Sequence, residues 1–143
     1  MNIKIIIIGK VKEKIYQKRI LEYIKWIKLD FQTEIIILKD SNTKKLDQKL
    51  SSYIKSEVHT ICVSEEGSKL SSKQFSKFIF DTNQDLTFFI GGPNGHSEIV
   101  RRGANSILSL SNMTLPHEMA LLVLTEQIFR AISIQKGSKY HRE

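Results

Sequence analysis

The stretch "FFIGGPNGHS", from Phe88 to Ser97, carries a pattern typical of a ligand-binding loop. An apolar run ends at Ile90 and is followed by three glycines and a proline within five residues. A strand that runs directly into glycines is typical of backbone that approaches a ligand closely, most often a nucleotide. A tight turn that needs positive φ angles would use the same residues without a ligand, and this stretch alone leaves both interpretations open.

Neither common nucleotide-binding motif is present. A phosphate-binding loop ends in Gly-Lys-Ser/Thr, and "GGPNGHSE" contains no lysine. A dinucleotide site needs G-x-G-x-x-G in the first βα turn and an acidic residue about 20 positions later. The spacing here is G-G-x-x-G, and no Asp or Glu occurs between Glu98 and Glu118. Both kinds of nucleotide-dependent enzyme are therefore excluded.

A second irregular loop, "LSNMTL" from Leu110 to Leu115, again joins a strand end to a helix start. Ligands of open α/β sheets bind outside the carboxyl ends of the strands. We therefore expect this loop, the glycine loop and the stretch "SEEGSKLSS" after Val63 to surround one pocket. Such a pocket is rich in backbone N–H and C=O groups and poor in fixed charge, which suits a neutral base edge together with a sulfonium or another cofactor that an acid must not bind too tightly.

Five apolar runs typical of strands alternate with stretches whose apolar residues recur at helical spacing. Three runs are nearly continuous Ile, Val, Leu or Phe, as expected for strands covered on both faces. The predicted strands are Ile3–Ile8, Glu34–Leu38, Val58–Val63, Leu86–Ile90 and Ser106–Leu110. Ser71 or Ser72 is the predicted N-cap of the third helix. The pattern predicts an α/β fold with a parallel sheet covered by helices on both faces, in one domain over residues 1–143.

The fifth helical pattern, Pro116 to Ile134, is apolar almost all round. One face of a helix is enough to cover a sheet, and the remainder favours burial against a second copy, so we expect a homodimer through this helix. An unusually deep core helix is the alternative. The residues that exceed the needs of a monomer are Leu121, Leu122, Leu124, Ile128 and Ile132.

Composition indicates a basic protein of a reducing compartment. The net charge of +7 and the concentration of lysines in the first half favour RNA or DNA as a partner, or a solvated lysine-rich face. Cys62, the single cysteine, excludes a disulfide framework and fits the cytoplasm. "IKIIIIG" is too short to span a bilayer, so we expect no membrane association. No His, Asp or Glu cluster has metal-ligand spacing, so we expect no metal.

Three separated motifs resemble those of a known family: "FFIGGPNG", "LSLSNMTLPHEMALLVLTEQIFRA" and the terminal "KGSKYHRE". The chain resembles the ribosomal RNA large subunit methyltransferase H family over its whole length. Members are SPOUT-class enzymes that methylate N3 of a pseudouridine in 23S rRNA within the ribosome, with S-adenosylmethionine as cofactor. The resemblance implies a cytoplasmic homodimer whose parallel sheet ends in a trefoil knot.

The resemblance also implies a cofactor wall. The usual Leu-acid pair of the family is Val63-Ser64 in this chain. The residues carried over by position are Val63, Gly91, Leu110, Ser111, Asn112, Met113, Thr114 and Leu115.

The residues expected on the side of the substrate base are His117 and three members of the tail. Methyl transfer from a sulfonium is an in-line displacement, and the proton on N3 has to leave. His117, His141 and Arg142 are candidates to take the proton or stabilise the developing anion, and Tyr140 to stack on a base. His117 could equally bond a backbone group, and we expect His59 and His96 to be surface or packing residues. We predict a flexible tail over about residues 136–143; a non-catalytic RNA-binding module is the alternative function.

Overall fold

The computed structural model describes residues 1–142, and over that range the chain forms five β-strands and five α-helices. The strands are β1 Asn2–Ile8, β2 Gln32–Leu38, β3 Val58–Lys69, β4 Asp85–Ile90 and β5 Ser106–Ser109. The helices are α1 Lys14–Ile27, α2 Thr43–Ser51, α3 Ser72–Asp81, α4 Glu98–Gly103 and α5 His117–Lys136. The predicted alternation of strands and helices is confirmed.

The strands form one sheet in the order β2-β1-β4-β3-β5, and each neighbouring pair is parallel. β1 and β4 lie at the centre and are built almost wholly of buried apolar residues, because helices cover both faces. The carboxyl ends of all strands meet at one edge of the sheet. The loops that follow β3, β4 and β5 therefore lie together at that edge.

Alternate residues of β1 supply the two cores. Ile3, Ile5 and Ile7 lie in the larger core, which α1, α3 and α5 close. Ile6 and Ile8 lie in the smaller core, which α2 and α4 close. Burial of each such side chain contributes about 1.5–3 kcal/mol, so β1 anchors both layers.

Two local features refine the predictions. Ser71 is the N-cap of α3, and with Gln74 it forms a reciprocal capping box. β3 does not end at Val63 but continues to Lys69, with a register shift against β5 between Val63 and Ser68. The acidic, polar sequence of this extension lacks apolar alternation and so concealed the strand.

The residues of α5 that suggested a dimer are mostly core residues of the monomer. Leu121, Leu124, Ile128 and Ile132 are at most 3% exposed, and Leu122 is half-buried. The argument from these residues is wrong because α5 packs against α1 and α3 as well as the sheet. No helix within residues 1–142 is long and apolar enough to cross a membrane.

Candidate active site

A cavity of about 580 Å³ opens at the carboxyl edge of β3, β4 and β5. This volume is typical of small-ligand sites. All of the carried-over cofactor residues except Asn112 line it, namely Val63, Gly91, Leu110, Ser111, Met113, Thr114 and Leu115. Their role in holding a cofactor stays a prediction; the structure brings them together.

The glycine loop of the cavity is first of all a tight turn. The Gly95 N–H donates to the Gly92 carbonyl at 2.9 Å, and Gly95 has φ +78°. A Cβ on Gly91 would lie 2.9 Å from the carbonyl carbon of Gly95, and one on Gly92 would lie 3.1 Å from a methyl of Ile8. The turn therefore requires glycine at these positions, because a side chain would collide with neighbouring atoms. The lack of side chains also leaves backbone polar groups at the cavity wall.

The extension of β3 forms the third wall, as the sequence predicted for this stretch. Gly67 allows β3 and β5 to approach closely, since a Cβ there would lie 2.5 Å from the carbonyl carbon of Ile107. Next to this contact, Glu65 reaches across the cavity mouth and accepts a short hydrogen bond from the Thr114 hydroxyl. That bond ties the wall to the loop after β5.

The loop after β5 is shaped by local hydrogen bonds. The Ser109 hydroxyl donates to the Ser111 carbonyl at 2.7 Å, and the Met113 N–H donates to the Ser111 hydroxyl at 3.0 Å. The Ser111 hydroxyl is thus engaged by its own loop, and Asn112 is not among the residues that line the cavity. Met113 is 77% exposed at the mouth, which is unusual for a large apolar side chain.

His117 and Glu118 join the start of α5 to the loop after β1. His117 lines the cavity, and its Nε2–H donates to the Lys10 carbonyl at 3.0 Å. The Glu118 carboxylate accepts from the N–H groups of Lys12 and Glu13 at 2.5 and 2.9 Å, and these bonds lower its pKa. His117 therefore makes the backbone bond considered for it and also lies at the cavity, with Nδ1 as the ring atom that remains to accept a proton.

His96 and Arg101 line the cavity although the sequence reasoning assigned them no site role. His96 is not only a packing residue, because its Nε2–H donates to the Val63 carbonyl at 2.6 Å and fixes that wall. Burial lowers the pKa of His96, which keeps the ring neutral. Arg101 is ion-paired with Glu66 at 2.9 Å. The signal for both lay in the sequence, since each follows the glycine loop within a few residues.

His59 packs as expected. Its ring lies 5.5 Å from that of Phe78, and its Nε2 lies 2.8 Å from the Ser106 hydroxyl. Across residues 1–142 no three His, Cys, Asp or Glu side chains are grouped to hold a metal ion.

The C-terminal tail lies at the other end of α5 from the cavity. Gly137, in the left-handed conformation, ends the helix. The Tyr140 ring then packs edge-on against Phe129 with centroids 4.8 Å apart, and the Arg130 guanidinium lies 4.9 Å from the Tyr140 ring. Arg130 also donates to His141 Nδ1 at 3.1 Å.

Within one protomer the tail residues do not reach the cavity. Phe129 lies twelve positions after His117, which corresponds to about 18 Å along the helix. Burial and a hydrogen bond with Tyr23 raise the pKa of Tyr140 to about 12, so its hydroxyl is protonated at neutral pH. Arg142 is exposed. Tyr140, His141 and Arg142 are thus grouped with one another but separated from His117.

The chemistry of the cavity fits a cofactor that is neutral over most of its surface. Its apolar walls include Ile90, Leu110 and Leu115, and its polar lining combines the glycine-loop backbone with side chains such as Ser111 and His117. The acidic lining residue Glu65 is bonded to Thr114, so its charge is partly satisfied. Apolar walls and backbone N–H groups recognise a heterocycle, and the scarcity of unpaired acids lets a sulfonium bind without a tight ion pair.

Comparison with known proteins identifies the family of this chain. A family described as "Predicted SPOUT methyltransferase" matches residues 1–141. A ribosomal RNA large subunit methyltransferase H from Streptococcus uberis is 39% identical, with 99% of this chain and 100% of that protein aligned. A protein of the same name from Prochlorococcus marinus is 42% identical, covering 98% of this chain and 95% of the relative.

Solved structures share the fold at low identity. A probable methylase family protein from Haemophilus influenzae superposes with a TM-score of 0.59 at 13% identity, over 99% of this chain and 71% of that one. A SpoU methyltransferase from Streptomyces viridochromogenes gives 0.52 at 11% identity, over 96% and 61%. Full-length sequence similarity, the shared fold and the cavity lead to one conclusion: the chain belongs to the SPOUT methyltransferase family, in the ribosomal RNA large subunit methyltransferase H group, and its cofactor is S-adenosylmethionine.

Proposed function

We propose that this protein methylates 23S rRNA of the large ribosomal subunit, at N3 of a pseudouridine. The observation that carries the proposal is the end-to-end similarity to relatives named for the large ribosomal subunit RNA. The cavity at the carboxyl edge supplies a place for the cofactor, and the net charge of +7 suits a polyanionic substrate. A ribosomal substrate also implies action in the cytoplasm.

The residues around the cavity act by position. When bound, S-adenosylmethionine would supply an electrophilic methyl group, and transfer of that group to N3 would leave the demethylated cofactor and require loss of the N3 proton. Backbone groups of the glycine loop and of the loop after β5 orient the cofactor, and a well-oriented in-line geometry accounts for most of the rate enhancement. His117 Nδ1 is the candidate acceptor of the N3 proton; the bond from its Nε2–H to the Lys10 carbonyl supports this role because it leaves Nδ1 unprotonated in the neutral ring.

A direct assay tests the proposal. Large ribosomal subunits from cells that lack the endogenous enzyme are incubated with protein and labelled S-adenosylmethionine, and digested rRNA nucleosides are identified by mass spectrometry. N3-methylpseudouridine is the expected product. Methyl transfer to another nucleoside would overturn the N3-pseudouridine assignment, and cofactor binding without any methylated rRNA would overturn the substrate.

We further propose a homodimer in which each cavity is completed by the partner's tail. The two groups of site residues lie at opposite ends of the 20-residue α5. An antiparallel pairing of two such helices about a two-fold axis brings the end of one beside the start of the other. α1, the neighbour of α5, exposes Ile15 and Leu21 at 74% and 65%, which a partner would cover. Light scattering that gives a monomer at micromolar concentration would contradict this proposal.

A trefoil knot is the last element of the proposal. β5 lies at the edge of the sheet beyond β3, yet α5 begins against the loop after β1, on the far side of β4. Residues 110–116 therefore cross the carboxyl edge over β3 and β4. This crossing supports a chain end threaded through a loop. Pulling the chain by its termini tests it: a knotted chain extends to a shorter contour length than its residue number allows.

A further inference from the structure

The carboxyl edge of the sheet has two halves: one holds the cavity, and the other carries exposed lysines. The cavity lies over β4, β3 and β5, whereas the loops after β1 and β2 cover the other half. Those loops and the helix starts that follow them carry exposed lysines, here called the lysine edge: Lys10, Lys12, Lys14, Lys39, Lys44 and Lys45.

The lysine edge is continuous with the cavity. Neighbouring strands lie about 4.8 Å apart, so the end of β2 is only about 10 Å from that of β4. The loop after β1 touches the cavity directly, because the Lys10 carbonyl accepts from His117 and the N–H of Lys12 donates to Glu118. A strand of nucleic acid that leaves the cavity toward β1 passes over these ammonium groups.

The lysines are not arranged to stabilise the fold. Lys14 lies in the first turn of α1, and Lys44 and Lys45 lie in the first turn of α2. A cation at a helix N-terminus opposes the helix dipole, and neither first turn holds an acidic residue. Within residues 1–142 no carboxylate lies within ion-pair distance of a lysine-edge ammonium group, whereas Lys77 and Lys136 are ion-paired.

Few acidic side chains offset this charge locally. Glu13 and Asp40 are the carboxylates of the two loops. Glu118, a carboxylate of α5, accepts from two backbone N–H groups and also interacts electrostatically with Lys12, but the six lysines outnumber these three carboxylates. The edge therefore keeps a net positive charge beside the cavity.

We infer that the lysine edge binds the phosphates of single-stranded RNA that flanks the target base. The inference rests on the proposed function for the identity of the RNA, and on charge and adjacency for its path. Single-stranded RNA is the occupant that fits, because its bases splay out and one can enter the cavity while its backbone follows a basic groove.

A matched pair of triple variants tests the inference. The first, Lys12→Gln, Lys14→Gln and Lys44→Gln, removes three charges from the edge. The control, Lys25→Gln, Lys28→Gln and Lys55→Gln, removes three exposed lysines from the opposite edge of the sheet, about 20 Å away along α1. Both variants have the same net charge. The probe is a labelled single-stranded RNA oligonucleotide, followed by fluorescence anisotropy across a salt series.

Each single-strand phosphate contact contributes about 0.7 to the salt slope, or roughly 5-fold in affinity at 0.1 M salt. We expect the edge variant to bind RNA roughly 10- to 100-fold more weakly with a slope lower by about 2, and the control to change less than 3-fold. Equal losses in the two variants, or no loss in the first, overturn the inference. Binding of wild-type protein to phosphatidylserine vesicles as tightly as to RNA overturns it as well.

Three further measurements distinguish a failure of the lysine edge from misfolding, from loss of the cofactor and from a failure of the proposed function. Melting temperature shows that both variants fold, and calorimetry shows that both retain the cofactor. If the wild type binds RNA through the edge but methylates no rRNA, the proposed function fails and the lysine edge stands. If the wild type methylates rRNA and the edge variant does so with an unchanged KM, the lysine edge fails and the proposed function stands.

Discussion

Two inactive variants of this protein should restore activity to each other when they share a dimer. The first lacks residues 139–143 and so has an intact cavity without the tail. The second carries Leu115→Arg, which places a guanidinium in the cavity and keeps the tail. Neither homodimer should transfer methyl groups. In the heterodimer, the cavity of the truncated protomer meets the tail of the other.

The length of α5, compared with the reach of the tail, indicates whether the tail can act at its own cavity or only at the partner's. Twenty helical residues span about 30 Å, from His117 to Lys136. The four residues from Gly137 to Tyr140 cover at most about 14 Å when fully extended. Tyr140 cannot return to His117 of its own chain, and in the structure it stops beside Phe129.

The assay uses heterodimers isolated by two different affinity tags. One of the two cavities is complete in such a dimer, so we expect about half the wild-type rate per dimer. The homodimers of each variant serve as controls, and calorimetry confirms that the truncated protein binds the cofactor while the Leu115→Arg protein does not. Heterodimers no more active than these controls would refute the trans arrangement, and full activity of the truncated homodimer would show that the tail is not needed.

Three other predictions concern single residues. Gly67→Ala should lower the free energy of unfolding by about 1–3 kcal/mol in a denaturant titration, because a Cβ there meets the Ile107 backbone at 2.5 Å; Gly103→Ala meets only a flexible side chain and should cost less. Tyr140→Ala should lower the melting temperature by a few degrees, since it removes ring contacts of about 1 kcal/mol; an unchanged value would mean that these contacts do not hold the tail. His96 has a lowered pKa, so the unfolded state binds its proton first and stability falls as pH drops below about 6.5; His96→Gln should flatten that pH dependence of the melting temperature.

The sequence predicted the sheet and helix layers of this fold because strands and helices are both indicated by local sequence patterns. Continuous apolar runs such as Leu86–Ile90 indicate a strand covered on two faces, and apolar spacing indicates the helices. The order β2-β1-β4-β3-β5 was not predictable in the same way. Strand pairing is decided by contacts between distant residues, for which a single sequence gives no periodicity.

The two clearest differences between the sequence-based predictions and the structure come from packing that the sequence does not display. The extension of β3 to Lys69 is polar, because it pairs only with β5 at the sheet edge and needs no apolar face. Most of the apolar residues of α5 are buried because α1, α3 and the sheet pack against the helix within one chain. An all-round apolar helix therefore indicates deep burial, and it does not by itself indicate a second protomer.

Cavity residues could be predicted where they belong to a loop motif. They could not be predicted where they are positioned by a contact with a backbone group far away in the sequence. Val63 ended one predicted strand and Leu110–Leu115 lay at the end of another, so their meeting at one edge was expected. His96 was missed because its function depends on the Val63 carbonyl, 33 positions away. Tyr140 was expected to project from a flexible tail, and its docking on Phe129 could not be seen from spacing alone.

Glu118 shows how the two halves of the carboxyl edge are held as one unit. Its carboxylate fixes the loop after β1 through two N–H bonds, and the neighbouring His117 fixes the same loop through the Lys10 carbonyl. The bonds from the Glu13 and Lys12 N–H groups lower the pKa of Glu118, which favours the charged carboxylate that accepts them. The start of α5 thus positions the lysine edge and the cavity relative to each other, so RNA bound at the lysine edge, as we propose, would be presented to the cavity at a fixed distance.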